Sequence, residues 1–208
     1  MAITDGDQLI ASYQLMRGYS HAEKLPGAIE KVMSDANLTP DAIEGIAVSI
    51  GPGSFTGLRI GLGVAKGMAL ALDKPVVAVP TMDVLVGALP HDLEQVCASL
   101  YARKGEVYMS LYQAVEGCWG QTEGIRTSAI ERIESALPDN SIFVLGEGVS
   151  RNLEAFQNIQ KCKILASHFH TPDPFHVARL GAIRLNNGEI EDVDSLVPLY
   201  IKRFQGIA

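Results

Sequence analysis

Ser49-Ile50-Gly51-Pro52-Gly53-Ser54-Phe55-Thr56-Gly57-Leu58-Arg59-Ile60-Gly61 is the stretch on which the fold turns. Ahead of it, Gly45–Ile50 is a β-branched run that reads as a buried strand. Behind it, Leu58–Leu72 reads as a helix, and a second buried strand follows at Pro75–Val79. Strand, glycine turn, helix and strand in this order place the chain in the α/β class. A glycine-rich turn at the start of a helix can cradle phosphate, because its N–H groups and the helix N-terminus favour anions. The turn nevertheless matches neither familiar fingerprint. A Walker loop needs Gly-Lys-Ser/Thr where Gly57 is followed by Leu58-Arg59, and the dinucleotide pattern begun by Gly61-Leu62-Gly63 needs a glycine where Lys66 stands. A tight turn with close helix packing accounts for these glycines equally well.

The helix after the turn is apolar nearly all round. Leu58, Leu62, Ala65, Ala69 and Leu72 form one face, while Ile60, Val64, Gly67 and Ala71 occupy another. Such a helix is expected to be covered on both sides, by the sheet on one and a neighbour on the other. Gly61, Gly63 and Gly67 each cost about 1 kcal/mol of helix stability relative to alanine, which close approach of another backbone would explain. An earlier helix has Ser20 as N-cap and Glu23 at capping-box spacing, with Pro26 and Gly27 marking a kink or a later start. Its Ala22, Leu25, Ile29, Val32 and Ala36 form one apolar stripe. That stripe, together with Gly63, Gly67 and Ala71, is the expected partner-binding surface, and it is also suited to self-association when no partner is present.

Working outward, Ala2–Thr4 and Gln8–Leu15 read as a hairpin across Asp5-Gly6-Asp7, and Val96–Leu100 and Glu106–Gln113 as another across Arg103-Lys104-Gly105. Met82–Leu89, Ala129–Leu137 and Phe175–Asn186 read as helices and Ser141–Leu145 as a strand, with Gly146-Glu147-Gly148 turning into a helix near Leu153. The character of the chain changes at Leu89–Glu94. Two lobes, 1–94 and 95–208, are therefore expected, and their hairpin-then-helix likeness points to an internal duplication.

Composition removes several function classes. The chain has 208 residues, 47% of them hydrophobic, enough for a sizeable core. Met1–Gln8 has neither the basic nor the apolar region of a secretory leader, and Leu58–Leu72 is short for a membrane span and carries Arg59 and Lys66. Cys97, Cys118 and Cys162 are far apart and fit a reducing compartment, so a cytoplasmic location is expected. A net charge of −7 opposes direct binding to a phosphate backbone, and Lys202-Arg203 is the one basic candidate. Gly18-Tyr19-Ser20-His21-Ala22 mimics a nucleophile elbow, but too little chain precedes Ser20, and a helix cap explains it. His168, His170 and His176 lack a carboxylate or cysteine at ligand spacing, so no metal is expected.

The run Ser49–Gly61, followed by Ala65-Lys66-Gly67 and Pro75-Val76-Val77-Ala78-Val79, resembles the signature of the bacterial TsaB (YeaZ) family. His21-Ala22-Glu23-Lys24-Leu25-Pro26, Arg103-Lys104-Gly105-Glu106-Val107-Tyr108 and Val197-Pro198-Leu199-Tyr200-Ile201-Lys202-Arg203 extend the resemblance over nearly the whole chain. The resemblance implies an actin-like, heat-shock-chaperone-like ATPase fold of two duplicated α/β lobes. It also implies a part in forming N6-threonylcarbamoyladenosine in tRNAs that read codons beginning with A. The partners implied are TsaD, a paralogue that holds the catalytic metal and transfers the threonylcarbamoyl group, and TsaE, an ATPase; tRNA is met only through the complex, and no membrane is involved. In that setting this chain reads as a non-catalytic scaffold. Thr81 and Leu85 stand where the paralogue has its His-x-x-x-His metal motif, and Tyr101 stands where relatives have an aspartate before Ala-Arg. The relatives' first strand, bearing an Asp-Thr pair, would lie ahead of Met1, so the first lobe is expected without it and with a sheet edge left over. No cofactor is expected beyond weakly held nucleotide at a degenerate site of Gly51, Gly53, Ser54, Gly146 and Gly148. The rival readings are a residual nucleotide hydrolase, a glycoprotease-like peptidase and a self-sufficient homodimer; no credible nucleophile–base pair supports the peptidase.

Overall fold

The computed structural model describes residues 1–15 and 21–201. Alternation around Asp5-Gly6-Asp7 folds β1 (Ala2–Asp5) back on β2 (Gln8–Ser12) as an antiparallel pair, closed at its far end by the Met1 ammonium donating to the Tyr13 carbonyl at 2.6 Å. α1 (His21–Asp35) has Pro26 in its interior, so the helix starts ahead of the proline and not after it. Ser20 lies outside the described residues, and with it the capping box and the elbow-like stretch Gly18–Ala22. β3 (Ile46–Gly51) and β4 (Val76–Pro80) pair in parallel, Ile46 opposite Val76 and Ser49 opposite Val79, with α2 (Phe55–Leu72) as the crossover helix between them.

The chain then builds a second unit. α3 (Thr81–Val86) leads into β5 (Gln95–Arg103), β6 (Glu106–Val115) and β7 (Cys118–Ala129), an antiparallel meander. After α4 (Ile133–Ala136), β8 (Ile142–Leu145) adds in parallel to β5. α5 (Glu147–Arg151) and α6 (Leu153–Gln157) connect it to β9 (Cys162–Ile164), parallel to β8. The sheet order is β7-β6-β5-β8-β9. One face of it packs on Val149, Ile133, Phe156 and Ile159, the other on Met82, Leu85, Val86 and Leu89.

α7 (Pro174–Asn186) returns to the first unit. Asp173 caps it by accepting the Phe175 N–H at 2.8 Å, with Pro174 at the first helical position. Gly181 sits so close beneath Ala47 that a Cβ there would overlap the alanine side chain, and Arg184 Nη1 donates to the Ala78 carbonyl at 2.8 Å. Beyond α7 the chain lies along β4, the Glu191 N–H donating to the Val76 carbonyl at 2.9 Å. Lys66 Nζ on α2 donates to the Leu196 carbonyl at 3.0 Å, and Leu196 joins Leu62, Ala69, Val76 and Ala78 in the core.

The units are therefore Met1–Pro80 with Asp173–Pro198, and Thr81–Pro172 with the residues from Leu199 on. This corrects the contiguous division at 94/95. The first unit recruits its last helix from the far end of the chain because the underside of β3 and β4 needs a cover. The internal duplication shows in the element order: strand, strand, helix, strand, helix, strand among the described residues of the first unit, and in the second the same with a further leading strand and with two short helices, α5 and α6, in place of α2.

Candidate functional site

α2 is held at both ends by its own residues. Ser54 Oγ accepts the Gly57 N–H at 3.3 Å, and Asp73 closes the helix in the left-handed conformation with its N–H on the Ala69 carbonyl. Its inner face (Leu62, Ala65 and Ala69) is buried on the β3–β4 pair. The outer face follows a four-residue spacing along Phe55, Arg59, Gly63, Gly67 and Ala71, with Leu70 beside it, and all six are exposed. Leu70 keeps 68% of its surface and Phe55 42%, with the Arg59 guanidinium 4.0 Å over the Phe55 ring. α2 is long and apolar enough to cross a membrane by length and composition, because it begins at Phe55, ahead of the expected Leu58. It is nevertheless a surface helix of a folded unit, with Lys66 tied to the backbone beyond α7.

A Cβ added at Gly61, Gly63 or Gly67 would meet no atom within 4 Å. The chain's own packing therefore does not require these glycines, and their cost to the helix, about 1 kcal/mol each, is not offset within the unit. α1 packs beside α2 and on the β1–β2 hairpin. Its stripe divides. Val32 is only 4% exposed and belongs to the unit's own core, so it is withdrawn from the expected partner surface; Leu25, Ile29 and Ala36 are half-buried. An amphipathic helix spends its apolar stripe first on its own domain, which is why that expectation fails at Val32. The Ala22 side chain lies outside the described residues.

The two glycine turns sit in different units. Gly51 is buried with φ 114, a left-handed value, while Gly53 and Ser54 are exposed. In the second unit Gly146 has φ 103, and a Cβ there would overlap the Ser99 carbonyl oxygen; one on Gly148 would overlap the Ser99 hydroxyl. Close seating of α5 on β5 accounts for both glycines. Thr81 and Leu85 are buried in the first turn and a half of α3. Tyr101 carries the Arg151 guanidinium 4.6 Å over its ring, and Arg151 also pairs with Glu147 at 2.6 Å. His168 is exposed against Phe169. His170 is buried, its Nε2–H on the Leu165 carbonyl at 3.0 Å, whereas His176 lies in the other unit. Among the described residues no group of three or more His, Cys, Asp or Glu is placed to hold a metal ion.

Sequence reading missed the pair Asp83–Tyr112, in which the Tyr112 hydroxyl donates to Asp83 Oδ1 at 2.8 Å; burial, then the neighbouring carboxylate, pushes that phenol up. It also missed Phe55, Arg59 and Leu70 on the outer face of α2. The four-residue spacing from Phe55 to Ala71 is the signal that would have found most of that face.

A family model described as TsaD, tRNA N6-adenosine threonylcarbamoyltransferase, matches residues 17–202. The chain is 29% identical to the tRNA threonylcarbamoyladenosine biosynthesis protein TsaB of Bacillus subtilis, over 97% of this chain and 88% of the relative. Against TsaB of Escherichia coli it is 35% identical over 55% of this chain and 49% of that protein. It superposes on the solved structure of YeaZ from Pseudomonas aeruginosa with a TM-score of 0.79 at 26% identity, covering 96% of this chain and 92% of that one. The fold is thus of the actin-like ATPase type, two α/β units of common design.

Proposed function

The chain belongs to the TsaB (YeaZ) branch of the threonylcarbamoyltransferase family, and from that premise we propose that it serves tRNA threonylcarbamoyladenosine biosynthesis in the cytoplasm as a non-catalytic subunit docking the TsaD paralogue. The observation that carries this reading is the outer face of α2: Gly63, Gly67, Leu70 and Ala71 form an exposed apolar strip whose glycines nothing within the unit explains. A glycine strip flanked by leucine lets a second helix approach backbone to backbone. A paralogue of the same fold offers a matching helix, so the pair closes as a pseudo-twofold arrangement. TsaE and tRNA then join through the pair, in keeping with the net charge of −7 on this chain. The subunit works in this reading without a metal or a tightly held nucleotide.

The test is association of the purified chain with TsaD by calorimetry, wild type against Gly67→Glu and Leu70→Glu. Each carboxylate would be buried without a partner charge, so affinity drops about a hundredfold or more while circular dichroism and unfolding midpoint stay close to wild type. Unchanged affinity in both folded variants would place the interface elsewhere. A wild-type homodimer that TsaD does not dissociate would replace the heterodimer with a self-sufficient one.

A further inference from the structure

β4 is paired along one side by β3, and the chain closes its other side by different means. The Pro75 carbonyl turns toward β3, where it accepts the Ile46 N–H, so the carbonyls of Val76 and Ala78 turn outward. The Val76 carbonyl accepts the Glu191 N–H at 2.9 Å, in an isolated antiparallel bridge. The Ala78 carbonyl accepts Arg184 Nη1 at 2.8 Å. Val76–Val79 are buried behind these two contacts. The edge is thus capped by one backbone donor and one guanidinium instead of being extended by a further strand. Val76-Val77-Ala78-Val79 is β-branched, apolar and uncharged, and an open edge of that composition pairs readily with its own kind.

The segment that carries Glu191 to the edge is lightly held. Glu189–Asp192, Asp194 and Ser195 are exposed and Val193 is half-buried. Leu196 is the buried residue of the segment, beside Leu62, Ala69 and Val76, while Ile190 keeps 56% of its surface. The Asp194 N–H on Asp192 Oδ1 at 3.2 Å and the Leu196 N–H on the Asp192 carbonyl at 3.0 Å shape the turn without attaching it to the sheet. Attachment comes from α2, where Lys66 Nζ donates to the carbonyls of Asp194 at 3.3 Å and Leu196 at 3.0 Å. A charged donor shared by two carbonyls outweighs an ordinary hydrogen bond. Few buried apolar side chains and exposed backbone hydrogen bonds mark a segment that opens locally.

We infer that Glu189–Leu196 is a strap that guards the outer edge of β4 against strand addition by a second copy of the chain, with Lys66 as its latch. Gly188, in the left-handed conformation at φ 77, is the hinge at the end of α7. Opening about it frees the Val76 carbonyl and uncovers Leu62 and Ala69, leaving Arg184 as the remaining stop at Ala78. The strap keeps two copies from joining edge to edge, separately from any pairing through α2.

The test uses the full chain carrying Gly67→Glu, so that association through α2 does not contribute. Amide exchange followed by NMR is expected to show Glu191 and Leu196 exchanging together, through an opening that low denaturant does not alter. Their rate is expected to be about tenfold or more above that of Val77 and Val79. Lys66→Met keeps most of the side-chain stem and removes the ammonium. It should speed the Glu191 and Leu196 amides about tenfold or more, leave the Ile183 amide in α7 unchanged, and yield a concentration-dependent dimer in sedimentation velocity. Exchange of Glu191 and Leu196 only through global unfolding, read with Lys66 in place, would overturn the strap. Unchanged exchange in Lys66→Met would overturn the latch, and faster exchange without a dimer would overturn the guarding role.

Discussion

The two units share a plan and differ in how completely it is carried out. The second completes a five-stranded sheet whose central strand is paired on both edges and packed on both faces by Phe156, Ile133, Met82 and Leu85. The first holds four strands as two ladders, with a smaller core of Leu62, Ala69, Val76, Ala78 and Leu196 and a long helix that leaves its outer strip to solvent. The difference teaches where stability and recognition reside. The second unit leaves only its outer strands β7 and β9 with a free edge, while the first leaves a helix face uncovered and carries the candidate docking surface.

The strongest test of that contrast is truncation of bulk on each side. Phe156→Ala empties a fully buried site in the second unit and is expected to cost about 3–5 kcal/mol, whereas Ile50→Ala on the half-exposed β3 should cost about 1–2 kcal/mol. The single tryptophan, Trp119, sits in the second unit with its Nε1–H on the Leu89 carbonyl at 3.4 Å. Denaturation read by its fluorescence follows that unit, and circular dichroism follows both. Equal losses for the two variants would break the contrast.

Glycines sharpen it. Gly146→Ala forces a side chain into a left-handed backbone and against the Ser99 carbonyl, and should destabilise the second unit by about 2–3 kcal/mol. Gly67→Ala places its Cβ in open space within a helix and should stabilise the first unit by about 1 kcal/mol. Opposite signs in thermal unfolding are the expected outcome, and a destabilising Gly67→Ala would mean the helix has a neighbour within its own unit.

Acid should affect both units, with the smallest effect of the set. Burial pulls His170 in the second unit below its ordinary range, against the raising influence of its bond to the Leu165 carbonyl. Burial, and then Arg179, does the same to His176 in the first unit. A base whose folded value is depressed contributes stability that is fully present above its unfolded value of 6.5 and is lost as pH falls below it through the folded value. The histidine part of this loss, read in the unfolding midpoint, is thus expected to set in as pH falls below 6.5. Replacing both histidines with glutamine should flatten that decline, and a double variant with an unchanged slope would assign the acid sensitivity to other groups.

The sequence made the β-branched runs at Gly45–Ile50 and Pro75–Val79 readable because buried parallel strands need continuous apolar residues. The hairpin and its partner at Val96–Gln113 were readable because turn and alternation agree. β7 was not, since Trp119–Gly124 mixes polar residues and glycines on an exposed edge, where pairing to β6 supplies the order that pattern does not. The destination of α7 was equally hidden. Its apolar positions say that it packs, not on which unit, and Gly181 against Ala47 with Arg184 on the Ala78 carbonyl reveals the choice. On α2 the periodicity identified an all-round apolar helix, but which face turns outward is set by the sheet beneath it.

The return of α7 and the strand-like tail beyond it has a consequence for synthesis. Residues 1–80 leave the ribosome roughly 100 residues ahead of the helix that covers them, and at about 5–20 residues per second that is on the order of ten seconds. The second unit, nearly contiguous in sequence, completes its core while the first still waits with one face of β3 and β4 uncovered. Nascent chains of this protein therefore finish folding at the end they began.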